Sequence, residues 1–403
     1  MRTYHTPLDL VRSRHLENPV VCTRPEHLAR ANRWFQENFP GDVLYAVKAN
    51  PSDWVIDGLC ASGSDFFEVA SLAEVELIAR RSPSARMAFL HPVKSRQAIR
   101  RAYFDYGVRI FAVDTHAELR KILEETEGAR DLTLIVRLAV SSDFALFSLA
   151  GKFGVTAQDG PALIQAARRH SEQLGVSFHI GSQCMEPIAF RAAMLEASRL
   201  IVQAGVTIDI VDVGGGFPCI YPGMQPPAMQ RYIDAITDAF EDMLVLENAA
   251  LWCEPGRALV AEAESLIVRV DLRKGDTLYI NDGSYGTLFD AAHAKWRFPV
   301  RMLTTSDRPQ AGMKDFAFFG PTCDSIDALN GPFQLPGDID EGDFIEIGMI
   351  GAYGTALTTQ FNGFGAFETV IVQDDPFASM YGGADRSSSV SAQSAFIDEG
   401  LAR

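Results

Sequence analysis

IDIVDVGGGFP (208–218) is a run of β-branched and apolar residues that ends in three consecutive glycines. Six comparable runs precede it: VLYAVK (43–48), DFFEVA (65–70), MAFLH (87–91), VRIFAVD (108–114), LTLIVRLAV (132–140) and VSFHIG (176–181). One more follows, LWCEPG (251–256). Between most of them lie segments with apolar residues at helical spacing, such as SLAEVELIARR (71–81), HAELRKILEET (116–126), PALIQAARRHSEQL (161–174), PIAFRAAMLEASRLIVQAG (187–205) and MQRYIDAITDAFEDMLVL (229–246). PEHLARANRWFQENF (25–39) supplies another before the first strand. Eight strands alternating with helices predict a parallel sheet, and eight is the number that closes a (β/α)8 barrel, here over residues 25–256.

Beyond residue 257 helical periodicity fades. Short strands lie between Gly, Asp and Pro turns: SLIVRVDL (265–272), TLYIND (277–282), FAFFGP (316–321), DFIEIG (343–348) and FETVIVQ (367–373). This predicts a second domain, an antiparallel β-sandwich or barrel made of residues 1–24 and 257–380, with PVVCTR (19–24) joining it. Residues 381–403, including ADRSSSVSAQS, read as a flexible tail.

The 403 residues are 47 % apolar and 22 % charged, an ordinary globular balance. The first residues hold no apolar stretch resembling a secretory signal, and no run suits a membrane helix, so a cytoplasmic protein without a membrane partner is expected. Six cysteines without a C-x-x-C pair argue against a zinc site or a disulfide framework, and no metal is expected. A net charge of −16 disfavours nucleic acid and mildly attracts cationic small molecules.

Polar residues gather at the C-terminal ends of the predicted barrel strands, where barrel active sites form. Lys48 ends the first. Partial burial there is expected to lower its pKa and make the amine nucleophilic. His179 ends the sixth, and Ser182 follows it. Gly214, Gly215 and Gly216 end the seventh and let backbone N–H groups approach a phosphate. Glu254, Gly256 and Arg257 close the eighth, setting a carboxylate beside a glycine turn and a guanidinium.

The ordered set YAVKAN, FEVAS, FHIGSQ, GGGFP, EPGR, FGPTCDSID and GAYG, spanning about residues 20 to 365, resembles the fold-type III decarboxylases that use pyridoxal 5′-phosphate (PLP). Ornithine, lysine and diaminopimelate decarboxylases belong to that group. The resemblance implies that Lys48 holds PLP covalently and that Glu254 keeps the ring nitrogen protonated. It implies that His179 stacks on the ring, and that Ser182, Gly214, Gly215, Gly216, Gly256, Arg257 and Tyr353 hold the phosphate. Glu68 and Arg137 fall where the family has polar groups near the cofactor, although Asp is commoner than Glu at the position of Glu68. In FGPTCDSID, the resemblance implies that Cys323 reprotonates the α-carbon and that Asp324 binds a distal ammonium with Asp290 of the opposite subunit. Phe361 of FNGF (361–364) would line the same interface. A homodimer with shared sites is therefore expected, acting on a small diamino acid. Asp after the cysteine, where diaminopimelate decarboxylases carry Glu, favours ornithine decarboxylation to putrescine in polyamine biosynthesis, with lysine as competitor. Diaminopimelate decarboxylase and a non-catalytic regulatory homologue are the alternatives.

Overall fold

The computed structural model of the chain describes residues 1–140, 145–147, 151–243, 249–304 and 311–382. Nearly all of the expected tail lies outside the described residues.

The parallel sheet runs in chain order through Asp42–Val43 with Tyr45–Ala46, Phe66–Val69, Arg86–Phe89, Ile110–Val113, Thr133–Arg137, Gln173–Ser177, Ile210–Asp212 and Ala250–Cys253. The first strand closes the ring. Its first half pairs with the eighth strand (Asp42 with Trp252, Val43 with Cys253), and its second half pairs with the second (Tyr45 with Phe67, Ala46 with Glu68). At the break between the halves, Leu44 N–H still donates to Cys253 O at 2.8 Å. The result is the expected eight-stranded barrel.

Helix starts follow from short polar caps. The side chains of Ser71, Ser95 and Thr115 accept from the backbone N–H groups of Glu74, Ala98 and Glu118, satisfying donors that the first helical turn leaves free. Gly205, at φ 63°, ends Ile188–Ala204 in the left-handed region that a glycine enters without strain. Helices Asp53–Ala61 and Arg96–Phe104 add to those named from sequence.

Strand alternation then divides the barrel interior into layers. Leu44, Phe66, Ala88, Ala112, Ile135, Ile210 and Trp252 form a separate buried cluster inside the ring. The sixth strand contributes Gly175, because a Cβ there would lie 2.4 Å from Ile135 Cδ1 and 3.0 Å from Ile210 Cβ. Two residues further along the same faces come Ala46, Glu68, Arg137, Asp212 and Glu254. The apolar plug thus gives way to a polar layer at the strands' C-terminal ends.

The second sheet has nine strands. Val20–Thr23 joins it, antiparallel to the long strand Glu264–Lys274. The expected antiparallel sheet is in fact mixed. Thr3–Tyr4 and Val20–Thr23 both run parallel to Glu368–Val372, and Thr277–Ile280 runs parallel to Met313–Phe319. Parallel pairs need a long crossover, and the whole barrel intervenes between the N-terminal strands and the last one. Among the described residues no helix is long and apolar enough to cross a membrane.

Two local readings are corrected. The sixth strand covers Gln173–Ser177, earlier than the expected 176–181, because its helix stops at Arg168. There the Arg168 guanidinium donates to the carbonyls of Ser171 and Glu172 and turns the chain toward the barrel. The first strand ends at Ala46, so Lys48 rides on a short 3-10 turn, Val47–Ala49, just beyond it.

Candidate active site

At the C-terminal mouth of the barrel lies a cavity of about 190 Å³. Lys48, Glu68, Arg137, His179, Ser182, Gly215, Gly216, Glu254, Gly256, Arg257 and Tyr353 all line it. Gly214 stands behind them: its N–H donates to Asp212 Oδ1 at 2.9 Å, and its carbonyl accepts from Glu254 N–H at 2.8 Å.

Lys48 donates to Glu68 Oε2 and remains 38 % exposed to the cavity. Burial pulls its pKa down, but Glu68 and Glu254 pull it further up, so the ammonium is stabilised overall. That corrects the expected depression: two carboxylates facing the amine outweigh its burial. Burial likewise raises Glu68, partly offset by Lys48 and Arg137. Glu254 is 3 % exposed. Burial and the neighbouring Asp212 push its carboxyl up to about 8. His179 Nδ1 accepts from Gly181 N–H at 3.0 Å, which leaves the proton of the neutral ring on Nε2. Desolvation and the cations Arg137 and Lys48 hold its pKa well below the ordinary imidazole range. The ring is therefore uncharged.

Arg257 forms part of the wall. It is buried, donates to Asp290 Oδ2 at 2.9 Å and to Tyr221 Oη at 3.1 Å, and lies over the Trp296 ring. Tyr353 takes a positive φ of 58°, and its N–H donates to Ala49 O at 2.8 Å, tying the second sheet to the Lys48 turn.

Cys323, Asp324 and Phe361 do not line this cavity. They lie together on the second sheet's side, in the loop after Met313–Phe319 and in the Phe361–Gly363 turn. Asn362 Oδ1 accepts from both the N–H and the thiol of Cys323, each at 3.1 Å. Tyr285 Oη donates to Asp324 at 2.6 Å while its ring packs against Phe361. That hydrogen bond, with one from Ile326 N–H, holds the Asp324 carboxyl below its ordinary range. Buried Asp327 fixes the loop by accepting from the N–H and hydroxyl of both Ser284 and Thr322. Asp290 is engaged with Arg257 rather than with this cluster.

Sequence reasoning missed His91 and Phe153, which line the cavity in edge-to-face contact, and also Asp212, Tyr285 and Asn362. His91 ends the third predicted strand run, and Asp212 is a charge inside an apolar one; both signals were legible. Tyr285 and Asn362 act through loops far apart in the chain and carry no local mark.

The pyridoxal-binding domain of the pyridoxal-dependent decarboxylases matches residues 26–261. The chain is 30 % identical over 378 residues to a lysine/ornithine decarboxylase of Selenomonas ruminantium, covering 90 % of this chain and 92 % of that one. It is 30 % identical over 355 residues to antizyme inhibitor 2 of Xenopus laevis, covering 80 % and 73 %. Its structure resembles that of a lysine/ornithine decarboxylase from Vibrio vulnificus complexed with putrescine, with a TM-score of 0.76, 26 % identity, and 92 % and 99 % of the two chains covered.

The residues fit pyridoxal phosphate. Glu254 Oε1 is buried and receives no hydrogen bond from a donor among the described residues, which suits an acceptor for a ring N–H. The glycine turn admits no side chain: a Cβ at Gly215 would lie 2.7 Å from Glu254 O, and one at Gly216 would lie 2.5 Å from Gly181 O. Gly214 and Gly216 also have positive φ values of 68° and 102°. Beside this turn, Arg257 supplies the cation that a phosphate needs.

Proposed function

Because the chain belongs to the pyridoxal-dependent decarboxylase family, we propose that it decarboxylates L-ornithine to putrescine and CO2, with L-lysine to cadaverine as a second reaction. The observation that carries the substrate is Asp324, a carboxylate held ionised by Tyr285 beside the exposed thiol of Cys323. An anion there suits a distal ammonium and repels the distal carboxylate of diaminopimelate. The relatives named as lysine/ornithine decarboxylases support the same class.

The bound cofactor supplies the electron sink for the charge left when CO2 departs. Lys48 would hold it covalently, Glu254 would keep a proton at its ring nitrogen, and neutral His179 would lie against it without adding charge. Glu68 would orient Lys48, and Arg137, which lines the same cavity, would add a cation beside the cofactor. Ser182, the glycine turn with Gly256, Arg257 and Tyr353 hold the phosphate. Cys323 returns a proton to the α-carbon, and Asp324, with Asp290 opposite, receives the distal ammonium.

A homodimer with shared sites accounts for the separation of the two clusters. Cys323 and Asp324 lie outside the cavity, beside a surface on which Ile326, Phe361 and Phe364 are exposed, Phe361 by 42 %. A second copy would cover these side chains. The cytoplasm is the setting we assign, since none of the six cysteines forms a disulfide, which suits a reducing compartment. A non-catalytic regulatory role, suggested by the likeness to antizyme inhibitor 2, is disfavoured by the intact set of Lys48, His179, Glu254 and Cys323.

The test is CO2 release from ornithine, lysine, arginine and meso-diaminopimelate measured side by side. Ornithine should lead, and lysine should trail by roughly 10- to 200-fold or less, since one methylene is worth only about 1–3 kcal/mol. Faster turnover of meso-diaminopimelate would overturn the role of Asp324, and no turnover of any substrate would overturn the enzyme reading.

A further inference from the structure

We infer that Asp212 and Glu254 form a proton-sharing carboxyl dyad, in which Asp212 acts as a positioning residue that keeps a proton on Glu254 for the ring nitrogen of the bound cofactor. Asp212 ends the seventh barrel strand and is fully buried. Its Oδ1 accepts from Gly214 N–H at 2.9 Å, while its Oδ2 is buried with no hydrogen-bond partner among the described residues. Glu254 lies just past the neighbouring eighth strand, with Oε1 in the same condition. The two side chains are in contact, and Glu254 N–H bonds to Gly214 O, so both carboxyls are anchored to one turn.

Ionised carboxylates only accept hydrogen bonds, so two in buried contact repel unless a proton lies between them. The facing charged groups do not remove that need. Lys48 and Arg137 are cationic, but Glu68 adds a third carboxylate and is in contact with Lys48. His179 is neutral, and buried Cys253 is held as a thiol. Burial raises both Asp212 and Glu254, Glu254 to about 8, so near neutral pH the pair carries one proton. A ring nitrogen that reaches Glu254 Oε1 unprotonated receives that proton: the N–H bond forms, the O–H bond breaks, and the pair becomes two carboxylates facing a new cation, with no proton drawn from water. A ring that arrives protonated sends the pair's proton to water instead. Without the Asp212 charge, Glu254 keeps the effect of burial but loses the second influence that holds its proton, so it ionises at a lower pH than in wild type.

The inference rests on pyridoxal phosphate being the cofactor, and its test separates the two. Protein freed of cofactor is titrated with pyridoxal phosphate in a calorimeter, in two buffers of different ionisation enthalpy, so that proton uptake is read directly. D212N keeps the carbonyl oxygen that accepts from Gly214 N–H and changes the volume little. At about pH 7 it should take up more protons per bound cofactor than wild type, by up to roughly one, and the difference should vanish near pH 9.5, where wild type has also lost its shared proton. If D212N does not fold, wild type is compared with E254Q: from pH 7 to 9.5 uptake should rise by about one proton more in wild type than in E254Q. Equal uptake by wild type and D212N at both pH values, or an equal rise in wild type and E254Q, overturns the dyad. Absence of any binding heat in wild type overturns the cofactor instead.

Discussion

If Cys323 and Asp324 serve the cavity of a second chain, two variants that are each inactive should restore one another. Lys48→Ala removes the covalent hold inside the cavity. Cys323→Ala removes an exposed thiol whose contact is with Asn362 at the surface, so the barrel is untouched. Each homodimer should fall roughly 10²- to 10⁴-fold, the range expected for losing a proton-transfer group, with Lys48→Ala at least as low. Mixing equal amounts and allowing exchange makes about half the dimers hetero. Each of those has one site with intact Lys48 and Cys323 and one site with neither. With independent sites, activity should recover to about a quarter of wild type, at least about 25-fold above the homodimer background. Distinct affinity tags and native mass spectrometry establish exchange, and CO2 release from ornithine reads activity. No recovery despite demonstrated exchange would refute the reasoning, because both residues would then work within one chain.

Borohydride treatment of the yellow protein should attach the cofactor irreversibly to the peptide bearing Lys48, as read by mass spectrometry; attachment to another lysine ends that assignment. Asp327→Asn should lower the urea midpoint by an amount equivalent to about 1–3 kcal/mol, since its amide nitrogen cannot accept from Thr322 or Ser284 and leaves buried donors unpaired. It should also slow turnover by loosening the Cys323 loop, and unchanged values of both would refute that role. Glu264→Gln tests a pH effect: burial raises the Glu264 carboxyl to about 8, above its value in the unfolded chain. The folded state therefore holds that proton more tightly, and stability falls as pH rises from about 4 toward 8. The variant should match wild type near pH 5 and exceed it near pH 9, by something on the order of a few kcal/mol; parallel unfolding curves at both pH values would show that Glu264 is not the group responsible.

The barrel was legible because its strands are short, β-branched and bounded by helix signals, so that local pattern and global closure agree. What failed locally failed for tertiary reasons. PALIQAARRHSEQL keeps apolar spacing through Leu174, yet its helix ends when Arg168 folds back onto the carbonyls of Ser171 and Glu172, a contact no periodicity reports. The parallel pairings of the second sheet escaped for a similar reason. Val20–Thr23 and Glu368–Val372 are separated by the entire barrel, and a strand's own residues do not reveal the direction of so distant a neighbour.

The site divides along the same line. Lys48, His179 and Glu254 stand one or two residues beyond strand ends, where position in the fold implies position in the mouth of the barrel, and the structure brings them to one cavity. Their charge states were not legible in the same way. Lys48 was expected to lose its proton more easily because it is buried, and burial does act in that direction, but Glu68 and Glu254 outweigh it. A pKa depends on the sum over neighbours, and those neighbours come from strands 20 and 206 residues further along the chain. Asp212 makes the same point from the other side. In the sequence it is one acid in an apolar run, whereas in the fold it meets Glu254 across adjacent strands, and burial together with that contact raises the Glu254 carboxyl. Residue identity fixes which groups can titrate, and the register of the barrel decides which of them titrate together.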